Sequence, residues 1–151
     1  MSIPNVMISY NRNASFSLAQ TLNEKLKYIG IKTWTDMDSI GNNLLFSSIT
    51  KAIDISDVII VILSNEYCLS KHNIQEFEYA LSKNKYIIPI KDSSLCISTC
   101  PVSLLESSSS LEYVQIDFSK SDIDTEFPLI LKKIIRYENF SEYDYGKCIN
   151  C

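Results

Sequence analysis

The chain has 151 residues, of which 46% are hydrophobic and 21% charged, values that are typical of one globular domain and exclude wholesale disorder. Its formal net charge of −4 argues against a general nucleic-acid binder, because no basic surface is available to displace counterions from phosphates. No apolar segment approaches the length of a membrane span, and the first residues lack the basic segment of a signal peptide. We therefore expect a cytoplasmic protein without membrane or nucleic-acid partners.

The cysteines are expected to be free thiols rather than disulfides or metal ligands. Their number is odd, and thiols stay reduced in the cytosol. Two pairs have spacings that zinc sites also use, Cys96 with Cys100 and Cys148 with Cys151. One pair lies in a Ser-rich segment and the other ends the sequence, so we predict no metal site.

Apolar residues alternate between strand and helix patterns along the chain. Strands are predicted at 5–10, 31–35, 57–64, 86–90 and 111–116. Helices are predicted from the apolar residues within 18–29, 45–53, 74–81 and 127–135, and the polar residues 11–15 are interpreted as a loop. Pro89 is expected near a sheet edge or strand end, because proline donates no ladder hydrogen bond. This order predicts an α/β, flavodoxin-like fold of three layers, in which helices cover both faces of a five-stranded parallel sheet.

The third predicted strand and the helix after it form the most informative segment. Val58–Leu63 is the most apolar run, typical of a strand buried on both faces. Ser70 is predicted to cap the following helix. Glu76 lies about 200° around that helix from Ile74 and is therefore expected to point outward, with His72 one turn earlier on the same side. From spacing alone, this side is either a ligand site or a solvated helix face.

The expected sheet predicts where a ligand would bind. In a parallel sheet of order 2-1-3-4-5, ligands bind beyond the carboxyl ends of strands one and three, here residues 10–13 and 64–76. Only three glycines are present, so neither a dinucleotide fingerprint nor a P-loop can form. Strand three ends at Ser64 instead of a phosphoacceptor aspartate, and the single histidine limits triad chemistry.

From residue 5 to about residue 139, the sequence resembles the Toll/interleukin-1 receptor (TIR) domain. The matching motifs occur in the family's order: Met7-Ile-Ser-Tyr10, Trp34-Thr-Asp36, Ile40-Gly41, Ile62-Leu-Ser64, Ser70 through Glu76 to Ala80-Leu81, and Ile87-Ile-Pro-Ile90. The resemblance implies a TIR domain over residues 1–138 and a C-terminal tail over 139–151.

Within the family, the segment Ile8-Ser-Tyr10-x-Arg12-Asn13 is most like the NAD-cleaving branch, which includes the TIR domain that drives axon degeneration in animals. The resemblance implies that Glu76 is catalytic, that NAD⁺ is the substrate and that no cofactor is needed. It also assigns substrate-binding residues: Tyr10, Arg12, Leu45, Phe46 and His72. His72 replaces the family's tryptophan, and Asn73 replaces its cysteine at the start of the helix.

Two functions remain open from the sequence. One is an NAD⁺ glycohydrolase that releases nicotinamide and ADP-ribose or cyclic products, is activated by self-association, and acts in immune or cell-death signalling. The alternative is a non-catalytic adaptor that binds other TIR domains. Glu76 and Arg12 favour the enzyme, whereas His72 in place of tryptophan favours the adaptor. In both cases the resemblance implies a homo-oligomer or filament formed through an assembly loop that contains Asp36, Asp38, Ile40 and Gly41.

Overall fold

The computed structural model describes residues 3–36, 46–92, 114–116 and 123–150. The five described strands are β1 (Val6–Ser9), β2 (Thr33–Trp34), β3 (Val58–Leu63), β4 (Tyr86–Asp92) and β5 (Val114–Ile116). The described helices are α1 (Arg12–Tyr28), α2 (Phe46–Ile55), α3 (Asn65–Leu69), α4 (Lys71–Ser82) and α5 (Ile123–Asn150). All neighbouring strands pair in parallel in the order β2-β1-β3-β4-β5, which confirms the predicted flavodoxin-like sheet.

β3 is the centre of the sheet and is buried on both faces. Its alternate side chains enter two separate cores, because successive residues of a strand point to opposite faces. Ile60 packs in the core that α1 and α5 cover, with Leu22 and Ile134 among its members. Ile59 packs in the core that α2, α3 and α4 cover, with Phe77. The unbroken apolar run of β3 is explained by this double burial.

Two serines organise the chain after β3. The Ser64 hydroxyl accepts a hydrogen bond from the Tyr67 amide at 3.1 Å and caps the short helix α3. The Ser70 hydroxyl accepts one from the Asn73 amide at 3.3 Å and caps α4, as the sequence predicts. The helix α3 was not predicted, because five residues are too few for an apolar period to be recognised.

The predicted loop at 11–15 is wrong, since α1 begins at Arg12. Asn11 caps the helix, and its side-chain oxygen accepts a hydrogen bond from the Asn13 amide at 3.0 Å. The helix has a kink at Ser15, whose φ of −131° and ψ of 24° are not helical. The helix ends before Gly30, whose φ of +92° is favourable for glycine.

β4 lies next to β5, the edge strand of the described sheet, which agrees with the prediction that Pro89 is near a sheet edge. Pro89 pairs with Val61 of β3, and the described pairing with β5 runs from Ile90 to Asp92. At the C-terminus, α5 extends to Asn150, so the backbone of residues 139–150 is helical. The boundary between a domain at 1–138 and a tail at 139–151 stays a prediction.

Candidate functional site

A cavity of about 320 Å³ lies beyond the carboxyl end of β1, beside the start of α4. Its walls come from β1 and the first residue of α1, from the residues at the end of β2, and from parts of α2 and α4. The structure brings together here four residues that the sequence analysis selected: Tyr10, Arg12, His72 and Glu76. Four other polar or aromatic residues share the cavity: Ser9, Trp34, Asp36 and Asn73.

Glu76 does not point into solvent, which corrects the prediction from helical spacing. Its exposed fraction is 8%, and it accepts a hydrogen bond from the Ser9 hydroxyl at 2.8 Å through Oε2. The spacing argument assumed that only the side carrying Ile74 and Phe77 meets protein. The Ser9 hydrogen bond means instead that this turn of α4 also faces the carboxyl end of β1, so the side opposite Ile74 is covered as well.

The environment of Glu76 raises the pKa of its carboxyl group into the neutral range. Burial raises the pKa of Glu76 from the usual 4.5 to about 7, since it disfavours the charged form. Hydrogen bonds from the side chains of Ser9 and Asn73 lower the pKa in part, and the negative charge of Asp36 raises it slightly. A carboxyl with such a pKa in a cavity is characteristic of a functional group.

Ser9 also contacts a buried tyrosine on α3. Its hydroxyl oxygen lies 2.8 Å from the hydroxyl oxygen of Tyr67, a side chain with 0% exposure. Burial raises the pKa of Tyr67 well above its usual value, so the phenol stays protonated. Tyr67, Ser9 and Glu76 therefore form one hydrogen-bonded series from the interior to the cavity.

Asn73 joins the start of α4 to the end of β1. Its side-chain nitrogen Nδ2 donates a hydrogen bond to the Tyr10 carbonyl oxygen at 3.2 Å. Its side-chain oxygen Oδ1 accepts one from Asn11 Nδ2 at 3.1 Å. These two bonds, together with the Ser70 cap, hold the first turn of α4 against the chain that leaves β1. Glu76 is one turn further along the same helix, so its position depends on this connection.

Asp36 links two of the predicted substrate-binding residues. Its carboxylate accepts a hydrogen bond from the Tyr10 hydroxyl at 2.5 Å through Oδ1 and an ion-paired bond from Arg12 Nε at 2.7 Å through Oδ2. Burial and the Asp36 hydrogen bond raise the pKa of Tyr10, and Asp36 also raises the pKa of Arg12. Arg12 nonetheless remains 55% exposed at its side chain.

The remaining site predictions have different outcomes. Asp36, which the resemblance assigns to the assembly loop, lines the cavity, and its role in assembly stays a prediction. Trp34 also contributes to the cavity wall. His72 is exposed at its rim. Four predicted residues lie outside the described residues, as does the side chain of Phe46: Asp38, Ile40, Gly41 and Leu45.

Sequence reasoning missed Ser9, Tyr67 and Asn73 as parts of the site. Ser9 sits in an apolar strand, and its polarity at the carboxyl end of β1 was the available signal. Tyr67 carried none, because its contact with Ser9 spans 58 residues of sequence. In the described ranges, no cluster of histidine, cysteine, aspartate or glutamate is suited to a metal ion. The described helices also include none that is long and apolar enough to cross a membrane.

The profile of the TIR domain family matches residues 6–131 of the chain, and that span includes every described residue of the cavity. The chain belongs to the TIR domain family. No curated protein matches the sequence of this TIR domain.

Solved structures share the fold of this TIR domain. The TIR domain of the Toll-related receptor TRR-2 from Hydra magnipapillata is 23% identical, with a TM-score of 0.63 over 87% of this chain and 98% of that one. The TIR domains of the activated Roq1 resistosome are 17% identical, with a TM-score of 0.66 over 87% and 99%. A TIR-STING receptor from C. gigas in complex with 2′,3′-cGAMP is 17% identical, with a TM-score of 0.67 over 87% of this chain and 39% of that one.

Proposed function

We propose that this TIR domain cleaves NAD⁺ at the bond between nicotinamide and ribose, which yields nicotinamide and ADP-ribose or a cyclic product. The observation that carries the proposal is the carboxyl group of Glu76, which is buried, hydrogen-bonded to Ser9 and part of the wall of a cavity of about 320 Å³. Glu76 is also the residue to which the resemblance assigns catalysis.

The reaction suits a site with one carboxylate. Nicotinamide leaves as a neutral base from a positively charged glycosyl bond, taking the bonding electron pair, so no general acid is needed. The ribose carbon becomes oxocarbenium-like, and an ionised Glu76 stabilises that charge or holds the ribose hydroxyls. Water then bonds to the ribose carbon and loses a proton, which gives ADP-ribose; attack by an adenine nitrogen instead gives a cyclic product.

Other groups of the cavity match parts of the dinucleotide. Arg12 is more than half exposed beside Asp36 and can present its planar guanidinium to pyrophosphate oxygens. The rings of Tyr10, Trp34 and His72 offer apolar surfaces for flat heterocycles. We expect Leu45 and Phe46 to complete the substrate-binding set, as the resemblance implies.

The deciding experiment measures nicotinamide release from NAD⁺ by the purified protein at high concentration. We expect turnover in the wild type, its loss in Glu76→Gln, and its retention in the matched control Glu78→Gln. Glu78 is on the same helix but exposed. Turnover that persists in Glu76→Gln with an unchanged circular dichroism spectrum would refute the assignment of Glu76. Absence of nicotinamide release by the concentrated wild-type protein would refute NAD⁺ cleavage.

The second candidate function is a non-catalytic adaptor, favoured by His72 at the position of the family's tryptophan. In both functions we expect other TIR domains as partners, a role in immune signalling and a cytoplasmic location. The resistosome and the TIR-STING receptor are receptors that contain TIR domains of the same fold. An adaptor would form oligomers without releasing nicotinamide, so light scattering recorded with the assay distinguishes the two functions.

A further inference from the structure

The hydrogen bonds that connect Tyr67, Ser9 and Glu76 all run in one direction. Ser9 has one hydroxyl hydrogen, which it donates to Glu76 Oε2 at 2.8 Å. Its contact with the Tyr67 hydroxyl at 2.8 Å must then have Tyr67 as donor, because Ser9 has no second hydrogen to give. The series therefore points from Tyr67 through Ser9 to Glu76, with each hydroxyl donating toward the cavity.

We propose that Tyr67 and Ser9 are positioning residues that orient the Glu76 carboxyl and favour its ionised form through this directional pair of hydrogen bonds. The proposal rests on the proposed function, since it concerns the same carboxyl group, but neither residue needs to contact the substrate. Tyr67 is absent from the cavity lining and acts only through Ser9.

The direction follows from the burial of Tyr67. Among the described residues, Ser9 is the hydrogen-bond partner that the Tyr67 hydroxyl has, and the side chain is 0% exposed. If protonated Glu76 donated to Ser9 and Ser9 to Tyr67, the Tyr67 hydrogen would lose its partner in a dry interior. If Glu76 were protonated on its other oxygen, Ser9 would donate to a neutral acceptor and form a weaker bond. In both alternatives the hydrogen bonds of the series are weaker or fewer than those made to an ionised carboxylate, so the series opposes the effect of burial on the pKa of Glu76.

Other charged or titratable groups also line the cavity around Glu76. They come from the ends of β1 and β2, the start of α1 and α4 itself: Tyr10, Asp36, Arg12 and His72. α2 contributes the apolar Ile49 to the cavity, and Cys68 of α3 lies on the far side, next to Tyr67. Asp36 raises the pKa of Glu76, whereas the Ser9 hydrogen bond lowers it. Removal of the Ser9 hydroxyl therefore eliminates a hydrogen bond that opposes the effect of burial on the pKa of Glu76. Removal of the Tyr67 hydroxyl acts on the same bond through Ser9.

The test compares Tyr67→Phe and Ser9→Ala with the wild type by NMR titration of the Glu76 carboxyl carbon, assigned with Glu76→Gln. We expect the Glu76 midpoint to rise in both variants, by on the order of one pH unit in Ser9→Ala, where a charged hydrogen bond is lost outright. Tyr67→Phe should produce a smaller rise in the same direction, because Ser9 is then free to rotate its hydroxyl away.

Tyr79→Phe is the matched control. Its hydroxyl donates to Asp54 Oδ1 at 2.7 Å at the surface between α2 and α4, so it removes a similar bond away from the cavity. We expect the titration midpoint of Glu76 in Tyr79→Phe to equal that in the wild type. An unshifted midpoint in folded Tyr67→Phe would overturn the inference. Because that variant loses a single oxygen, it decides the matter even if Ser9→Ala does not fold.

Kinetics provide an independent readout. If the protein cleaves NAD⁺, Tyr67→Phe should lower kcat several-fold near neutral pH, leave KM nearly unchanged and move the acidic limb of the kcat profile to higher pH. A shifted midpoint without any turnover in the wild type would support the hydrogen-bonded series and refute the proposed function. Turnover with an unshifted limb in Tyr67→Phe would overturn the inference and leave the proposed function intact.

Discussion

The requirements on Glu76 for folding and for the proposed NAD⁺ cleavage are opposite. Its pKa is about 7 in the folded protein, against 4.5 for an exposed glutamate, so the folded state binds more protons between these values. The contribution of Glu76 to the free energy of unfolding therefore falls as the pH rises from 4.5 through 7, because the unfolded chain releases its proton first. The ionised carboxylate needed for cleavage is thus the form that the fold accommodates less well.

This conflict predicts that Glu76→Gln stabilises the protein at high pH. Relative to the wild type, its free energy of unfolding should increase by up to about 3 kcal/mol between pH 4.5 and pH 8, the equivalent of the pKa difference. Urea denaturation at both pH values measures this change. Glu78→Gln, an exposed change of the same kind on the same helix, is the control. A difference between Glu76→Gln and wild type that does not vary with pH would contradict the raised pKa.

Arg12 predicts a different kinetic pattern. Arg12→Ala should raise KM for NAD⁺ several-fold more than it lowers kcat, because contacts with phosphates distant from the reacting carbon stabilise ground and transition states alike. Initial-rate measurements provide both constants. Arg136→Ala, which changes an exposed arginine on α5, should leave both unchanged. If KM is unaffected in Arg12→Ala, Arg12 has no part in binding the substrate.

At the scale of elements, the sequence predicts the sheet because β3 is apolar throughout and its neighbours alternate with amphipathic helices. It predicts the start of α4 because Ser70 has the chemistry of a cap. It does not predict that Glu76 is buried, because helical spacing shows which side meets the sheet but not whether another element covers the opposite side. The contacts of Glu76 and Tyr67 with Ser9 span 67 and 58 residues, distances over which no local pattern operates.

The connection between α4 and β1 yields a prediction about Asn73. Asn73→Ala should destabilise the protein by about 1–3 kcal/mol, because the Tyr10 carbonyl loses a buried hydrogen bond and the side-chain amide of Asn11 loses one of its two acceptors. Thermal or urea unfolding measures the loss. Gln75→Ala, an exposed change on the same helix, is the control and should be nearly neutral. Equal stability of the two variants would mean that the Asn73 hydrogen bonds are replaced by water.

For the whole molecule, we predict that activity depends on assembly. The resemblance implies contacts through the assembly loop that contains Asp36, Asp38, Ile40 and Gly41, and heterologous contacts whose rotation does not close form open filaments. Specific activity should therefore rise with protein concentration, alongside light scattering, and Ile40→Glu should suppress both. Ile3→Glu, at an isoleucine that is 60% exposed, is the control. Specific activity that stays constant from a clean monomer upward would show that each chain holds a complete site.

The carboxylate of Asp36 is placed to connect dinucleotide binding with self-association. It bonds to Tyr10 and Arg12 in the cavity and also belongs to the loop that is predicted to contact a neighbouring chain. If that contact shifts Asp36, the affinity for dinucleotide changes with it, and thermodynamic linkage requires the reverse effect to be equally large. A non-cleavable NAD⁺ analogue should then promote self-association by the factor by which self-association strengthens its binding, and Asp36→Asn should reduce both. Equilibrium sedimentation with and without the analogue measures that factor, and equal association constants would mean that the two events are independent.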